Sequence, residues 1–232
     1  MTIQTTSIRE AILVLGGAFS PVHPGHIDVM NLIKETIEAE HPYKIIAGYL
    51  AVAPEGYVLS KLKHQAIKAQ HRLAMCNLAL QEHDWLVPCE RTHGSARECA
   101  QRYRKHDDVK ILIALGADRA MSYPEYAKWR WAPFDGTITV CVGRKGETER
   151  VLQQYQHDLE QNLVEDPNSF LFVTQEVGNV SSSLIRERLQ ILHNAPTPEQ
   201  KQKLAEQLVE ARCLNPLVAE YILEHERNLY VG

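Results

Sequence analysis

The alternation of short apolar runs with amphipathic stretches predicts an α/β fold, a Rossmann-like doubly wound parallel sheet followed by C-terminal helices. Two observations carry that reading. Six β-type runs, at residues 11–15, 44–52, 85–88, 109–115, 137–142 and 170–173, alternate with helical patterns, and several are almost wholly apolar, as strands covered on both faces are. A glycine turn with two histidines, Gly16-Gly17-Ala18-Phe19-Ser20-Pro21-Val22-His23-Pro24-Gly25-His26, separates the first run from the first helix, an arrangement suited to holding phosphate.

The elements follow in order. Residues 1–7 are polar and rich in threonine and read as a frayed leader. After strand one and the turn, Ile27, Met30, Ile33 and Ile37 keep helical spacing within residues 25–40, and His41-Pro42 ends that helix. Strand two is followed at Ala53-Pro54-Glu55-Gly56-Tyr57 by a predicted loop, and the next helix covers residues 68–81. Strand three is short. Residues 95–106 read as a polar helix, and strand four stops at Gly116-Ala117-Asp118. One or two helical turns fall at 124–131, then come strand five, a helix over 148–162, strand six and a helix over 181–192. Asn194-Ala195-Pro196-Thr197-Pro198 connects to two last helices, one ending at Arg212 and one from Pro216 to about Arg227. A single domain is expected, with an α/β core over 8–193 and a helical appendage over 194–232.

Composition narrows the function classes. The 232 residues are 44% hydrophobic and 23% charged, the ordinary globular range. A net charge of -4 argues against nucleic-acid binding over a whole face. No apolar run approaches a membrane span of about 18 residues. Five cysteines without a CxxC pair read as reduced thiols, and a cytoplasmic protein is expected. Self-association into a homo-oligomer stays open.

At the turn, Gly16 and Gly17 let the backbone approach a ligand, and the helix beyond offers unpaired N–H groups to an anion. His23 and His26 lie three residues apart at that helix start, with Gly25 giving them room, and both can donate ring N–H bonds to phosphate. The pattern is neither G-x-x-x-x-G-K-[ST] nor G-x-G-x-x-G, so P-loop and dinucleotide fingerprints are absent. Far downstream, Val180-Ser181-Ser182-Ser183-Leu184-Ile185-Arg186 opens a helix capped by Ser181 or Ser182, with Ser183 and Arg186 facing a polyphosphate. These residues position phosphate and supply no evident nucleophile, general base or protein metal cage.

GGAFSPVHPGH resembles the G-x-F-x-P-x-H-x-G-H signature of the nucleotidyltransferase α/β-phosphodiesterase superfamily, and VSSSLIR resembles its second motif, I-S-S-T-x-[IV]-R. More of the chain is similar to one branch, the nicotinamide/nicotinic acid mononucleotide adenylyltransferases. Ala53-Pro54 looks like that branch's S-P loop, Gln70-His71-Arg72 like its helix-start H-R pair, and Asp84-Trp85 falls where a similar pair does. Leu115-Gly116-Ala117-Asp118 looks like its G-A-D motif and Val140 to Gly146 like its V-C-V-x-R-x-G strand. The segment from Leu214 to Tyr230 looks like its V-P-x-x-V-x-x-Y-I-x-x-H-x-L-Y tail.

The resemblance implies transfer of AMP from ATP to a pyridine mononucleotide, giving NAD or its deamido form, with Mg²⁺ bound mainly through the ATP phosphates. It implies His23, His26 and Arg186 as catalytic residues. Gly17, Ala18, Phe19, Gly116, Asp118, Ser182 and Ser183 would join His26 and Arg186 in binding ATP. Lys63 is the first choice of a phosphate-binding lysine within 61–68, Arg144 a further cation, and Trp129 the tryptophan after the G-A-D motif that stacks on a ring. Partners are ATP and the mononucleotide, with no nucleic acid and no membrane.

The chain departs from the branch at three places. Where a tryptophan stacks on the nicotinamide ring, Arg91 stands near and can stack by its guanidinium plane. The S-P loop serine is Ala53, and the Asn or Asp after the phenylalanine is Ser20. Two other readings stand beside the first: another HxGH enzyme, similar to phosphopantetheine adenylyltransferases or cytidylyltransferases, and a nucleotide-binding sensor without turnover. The C-terminal tail counts against the second, the intact His23, His26 and Arg186 against the third.

Overall fold

The protein was analysed as a computed structural model, which describes residues 7–90, 108–121, 131, 137–143, 146–175, 178 and 180–231. The strands are β1 (Arg9–Gly17), β2 (Tyr43–Val52), β3 (Leu86–Glu90), β4 (Lys110–Gly116), β5 (Thr137–Val142) and β6 (Phe170–Val173). The described helices are α1 (Pro24–Glu40), α2 (Glu55–Leu62), α3 (Ala69–Ala79), α4 (Ala117–Met121), α5 (Glu147–Glu160), α6 (Ser182–His193), α7 (Pro198–Glu210) and α8 (Pro216–His225). The strands form one sheet in the order β3-β2-β1-β4-β5-β6. β4 runs parallel to β1, with Leu13 opposite Leu112, and parallel to β5, with Ala114 opposite Val140. β5 runs parallel to β6. The order grows outward from β1 to β3 and then returns to β4 beside β1. That reversal is the topological switch point, and in open α/β sheets ligands lie beyond the strand carboxyl ends there. The predicted Rossmann-like parallel sheet with C-terminal helices is the observed fold.

The described chain gathers into two compact units, each drawing on three stretches. One holds Met1–Leu15, Val29–Tyr49 and Ala96–Gly178. Its core includes an aromatic cluster in which Trp131 meets Tyr155 edge-on at 4.9 Å and Phe170 at 5.5 Å. Ala117, Cys141 and Val151 pack in the same cluster. Trp131 is 2% exposed, and its indole N–H donates to Asp158 at 2.7 Å. Trp131 is therefore a core residue.

The other unit holds Gly16–Asp28, Leu50–Ser95 and Asn179–Gly232. Its last three helices start where side chains satisfy orphan N–H groups. Ser181 accepts from Leu184 N–H at the start of α6, Thr197 from Gln200 N–H before α7 and Asn215 from Leu217 N–H before α8. Proline follows the last two caps, where its missing N–H is harmless. α7 packs on α6 and α8, and α8 packs on α3.

Two expectations are corrected. The predicted loop after strand two is α2 from Glu55 onward. Gly56 faces open space there, and Val58, fully buried with Ala53 and Ala66, anchors the helix that Pro54 and Gly56 argued against. The thiol expectation holds for Cys76, Cys141 and Cys213, which are free, and fails at Cys89, which is disulfide-bonded. Burial pushes the Cys76 thiol up to about 12 against the pull of Arg72, so it stays protonated and unreactive. Among the described residues no helix is long and apolar enough to cross a membrane.

Gly143 closes β5 where a side chain has no space. A Cβ there would stand 2.7 Å from Ala117 Cβ, 2.9 Å from Thr148 Oγ1 and 3.0 Å from Glu147 Cβ. Gly143→Ala is expected to destabilise the protein by about 1–3 kcal/mol, read as a lower midpoint in urea unfolding. An unchanged midpoint would show that α4 and α5 do not close on this turn as described.

Candidate active site

The histidine turn begins where β1 ends, and α1 starts at Pro24 inside it. Phe19 is its unusual residue. Its φ is 44°, in the left-handed region that an aromatic side chain rarely enters, at a cost of about 1–3 kcal/mol. The ring is 1% exposed and folds back over Gly17, where a Cβ would meet ring atoms at 2.9–3.2 Å. The glycine at 17 thus makes room for Phe19.

Hydrogen bonds hold the backbone on both sides of Phe19. The buried guanidinium of Arg72 donates from NH1 to Ala18 O at 2.8 Å and from Nε to Ile67 O at 2.9 Å. Arg186 NH1 donates to Ser20 O at 3.3 Å. The Ser20 hydroxyl accepts from Ile67 N–H at 3.3 Å, so the residue that departs from the Asn/Asp pattern still ties the turn down. Ala53 N–H closes on Gly17 O at 2.9 Å.

The two histidines are one unit. Their ring centroids lie 3.7 Å apart, and the Phe19 ring meets His26 edge-on at 4.9 Å. His23 N–H donates to His26 Nδ1 at 3.2 Å, while His26 N–H donates to His23 O at 2.9 Å. With Nδ1 accepting, the neutral His26 ring carries its proton on Nε2, leaving that N–H as a donor. Burial pulls the His26 pKa well below the ordinary value, and the adjacent His23 adds to the shift. Gly25 leaves space for His23, since a Cβ at 25 would stand 3.1 Å from His23 Nδ1.

The second motif reaches the same turn. Arg186 NH2 donates to Ser183 Oγ at 2.9 Å in the first turns of α6, while its NH1 holds Ser20 O. Its Nε is buried without an acceptor, and no carboxylate among the described residues pairs with it. Burial lowers the pKa of this guanidinium, partly opposed by Glu187. A half-buried cation with no carboxylate in salt-bridge contact, near a helix N-terminus, suits an anion.

The structure thus brings His23, His26, Phe19, Gly17, Ala18, Ser183 and Arg186 into one compact unit, with Ser182 opening α6. Lys63 lies in the same unit, exposed at the end of α2, with φ 52° and ψ -129°, a backbone combination rare outside glycine. Gly116 ends β4 and Asp118 lies in α4, in the other unit. Arg91, Trp129 and Arg144 lie outside the described residues. Sequence reading passed over the bracing role of Arg72. A signal was available, because Arg72 shares helical spacing with Met75, Cys76 and Ala79, the buried face of α3.

A β-strand leading to an imidazole-bearing turn, braced by an arginine from a serine-capped helix, is an arrangement suited to phosphate, and similarity to known proteins gives its class as nucleotidyltransferase. The chain belongs to the cytidylyltransferase-like family, whose profile matches residues 14–188. It is similar to the probable nicotinate-nucleotide adenylyltransferase of Pseudoalteromonas atlantica, 26% identical over 95% of this chain and 95% of that one. It is also similar to the protein of the same name from Acidithiobacillus ferrooxidans, 26% identical over 79% of this chain and 87% of the relative. A solved structure of Plasmodium falciparum nicotinic acid mononucleotide adenylyltransferase complexed with NaAD shares the fold, with a TM-score of 0.57, 15% identity, and coverage of 94% and 96%.

The depressed His26 and His71 pKa values set a pH dependence. The unfolded chain protonates these rings near pH 6.5, and the folded chain only at lower pH. Between those values the unfolded state binds more protons, so stability is full above about pH 6.5 and falls as the pH drops. Urea unfolding at pH 7.5 and 5.5 is expected to show that loss, and His26→Gln is expected to shrink it. An equal loss in the variant would mean that the His26 ring is not buried neutral.

Proposed function

We propose that this protein is an adenylyltransferase that joins ATP to nicotinamide or nicotinate mononucleotide, making NAD or deamido-NAD and releasing pyrophosphate. The observation that carries the reading is Arg186, which ties Ser183 and the Ser20 carbonyl together and keeps a buried Nε without an acceptor. The names of the two bacterial relatives, matched over most of both chains, point to the nicotinate form of the acceptor.

In this reading the mononucleotide phosphate, largely dianionic at neutral pH because its second pKa is about 6, attacks the α-phosphorus of ATP in line. The new P–O bond forms as the α–β bridging bond breaks, and pyrophosphate leaves with the electron pair. No general base is required. The protein supplies alignment and stabilisation of charge. His26 donates its Nε2–H to the phosphate oxygens at the α/β bridge, with His23 packed against it. Gly17, Ala18 and Phe19 present backbone to the nucleotide, Ser182, Ser183 and Arg186 take the β- and γ-phosphates, and Gly116 and Asp118 take the nucleoside side. Lys63, Arg91, Trp129 and Arg144 are assigned to the pyridine mononucleotide.

Among the described residues no three His, Cys, Asp or Glu side chains form a metal-holding group, and the turn's donors are N–H and cationic groups that suit anions. The residues therefore fit Mg²⁺ as a counter-ion carried on ATP oxygens, where it neutralises the triphosphate. A cytoplasmic setting and small-molecule partners complete the proposal.

The test is incubation with ATP, Mg²⁺ and a panel of both pyridine mononucleotides and phosphopantetheine, with CTP and alcohol phosphates alongside, read by mass spectrometry. NAD or deamido-NAD with stoichiometric pyrophosphate is expected. Adducts only from another acceptor, or none, would overturn the reading. His26→Ala is expected to lower kcat by about 10²–10³-fold while leaving the circular dichroism unchanged, the loss typical of a preorganised donor.

A further inference from the structure

Residues 66–68 lie between two partners. On one side they pair with the end of the chain: Ile67 and Tyr230 form an antiparallel bridge, Lys68 N–H donates to Leu229 O at 3.0 Å, and Val231 N–H donates to Ala66 O at 2.9 Å. An extended backbone turns alternate residues to opposite sides. The polar groups of Ile67 therefore face the other way, and they go to the histidine turn. Its N–H donates to Ser20 Oγ, and its carbonyl accepts from Arg72 Nε while Arg72 NH1 holds Ala18 O. Ile67 and Ala66 are fully buried, and Val231 packs with Ala18 against the cluster of Ala53, Val58 and Ala66. A second anchor fixes the helix before this tail. Tyr221 OH on α8 lies 2.8 Å from His71 Nδ1 on α3, and the Tyr221 and His225 rings stack at 4.0 Å.

We propose that residues 229–231 are a positioning element for the reaction: by pairing with residues 66–68 they hold Ile67 where it fixes Ser20 and the Arg72–Ala18 contact, and so set the backbone of Phe19 and the placement of His26. The inference rests on the adenylyltransferase reading for its kinetic consequence only. The tail touches no reacting atom in it; Ile67, Ser20 and Arg72 transmit its effect. Ser20 is the link a single substitution can remove, because its side chain has only the hydroxyl oxygen with which to receive the Ile67 N–H.

The test is a cycle of Val231→Pro, which removes one N–H donor to Ala66, and Ser20→Ala, which removes the acceptor for Ile67. kcat and KM are measured at saturating acceptor, and the His26 ring is titrated by NMR. Each single variant is expected to lower kcat about 10–100-fold, the scale of a small misplacement of reacting groups, with KM for ATP nearly unchanged. The double variant is expected to be no worse than the poorer single, because both act through Ile67. Ser20→Thr, which keeps the hydroxyl, is expected to restore most of the loss. The His26 titration is expected to move towards the ordinary histidine value in both single variants. Multiplying losses, or an unmoved titration with unchanged kcat in folded Val231→Pro, would overturn the proposal. Should Val231→Pro fail to fold, Leu229→Ala takes its place in the same cycle under the same criteria. The titration needs no turnover, so a protein without adenylyltransferase activity would sink the functional reading and still decide this one.

Discussion

Two arginines hold the backbone on either side of one strained residue, and the chemistry of the site depends on it. Phe19 adopts a φ of 44° with its ring buried. Left to itself that conformation relaxes, since it costs about 1–3 kcal/mol. Arg72 fixes the carbonyl before it and Arg186 the carbonyl after it, each by a charge-assisted hydrogen bond. The buried ring then meets His26, and His26 is locked to His23 by reciprocal backbone and ring contacts. Strain, burial and charge converge on the placement of a single imidazole.

The two arginines differ in exposure. Arg72 is wholly buried on α3 and spends its reach on Ile67 and Ala18. Arg186 is half-buried, reaches Ser20 and Ser183, and retains a buried Nε with no acceptor. Both brace the turn, and only Arg186 is also partly open to solvent, where a dissolved anion can reach it.

Much of this was legible in the residues. The strands at 137–142 and 170–173 match their predicted bounds, because β-branched and aromatic runs there end at sharp breaks in pattern. The histidine turn and Ser181 cap were legible because capping and phosphate binding are local chemistry. α2 was misread because Pro54 and Gly56 signal a loop, while the packing around Val58 includes Ala18 and Val231, both distant in sequence. The role of Ser20 had no local signature either. In the sequence it is only a departure from the family pattern, and the tertiary position of Ile67 is what gives it a contact. Arg72 could be flagged as a charge on an apolar helix face, but its target was invisible until the chain was folded.

In the proposed reaction Arg186 belongs to the turn and to the triphosphate at once. Calorimetric titration of ATP, ADP and AMP into the wild-type protein and Arg186→Ala tests it most directly. Loss of one charge-assisted contact of about 1.5–3 kcal/mol predicts that the variant binds ATP roughly 10–100-fold more weakly and AMP about as well as before. Equal weakening for all three nucleotides, or none for ATP, would contradict the account.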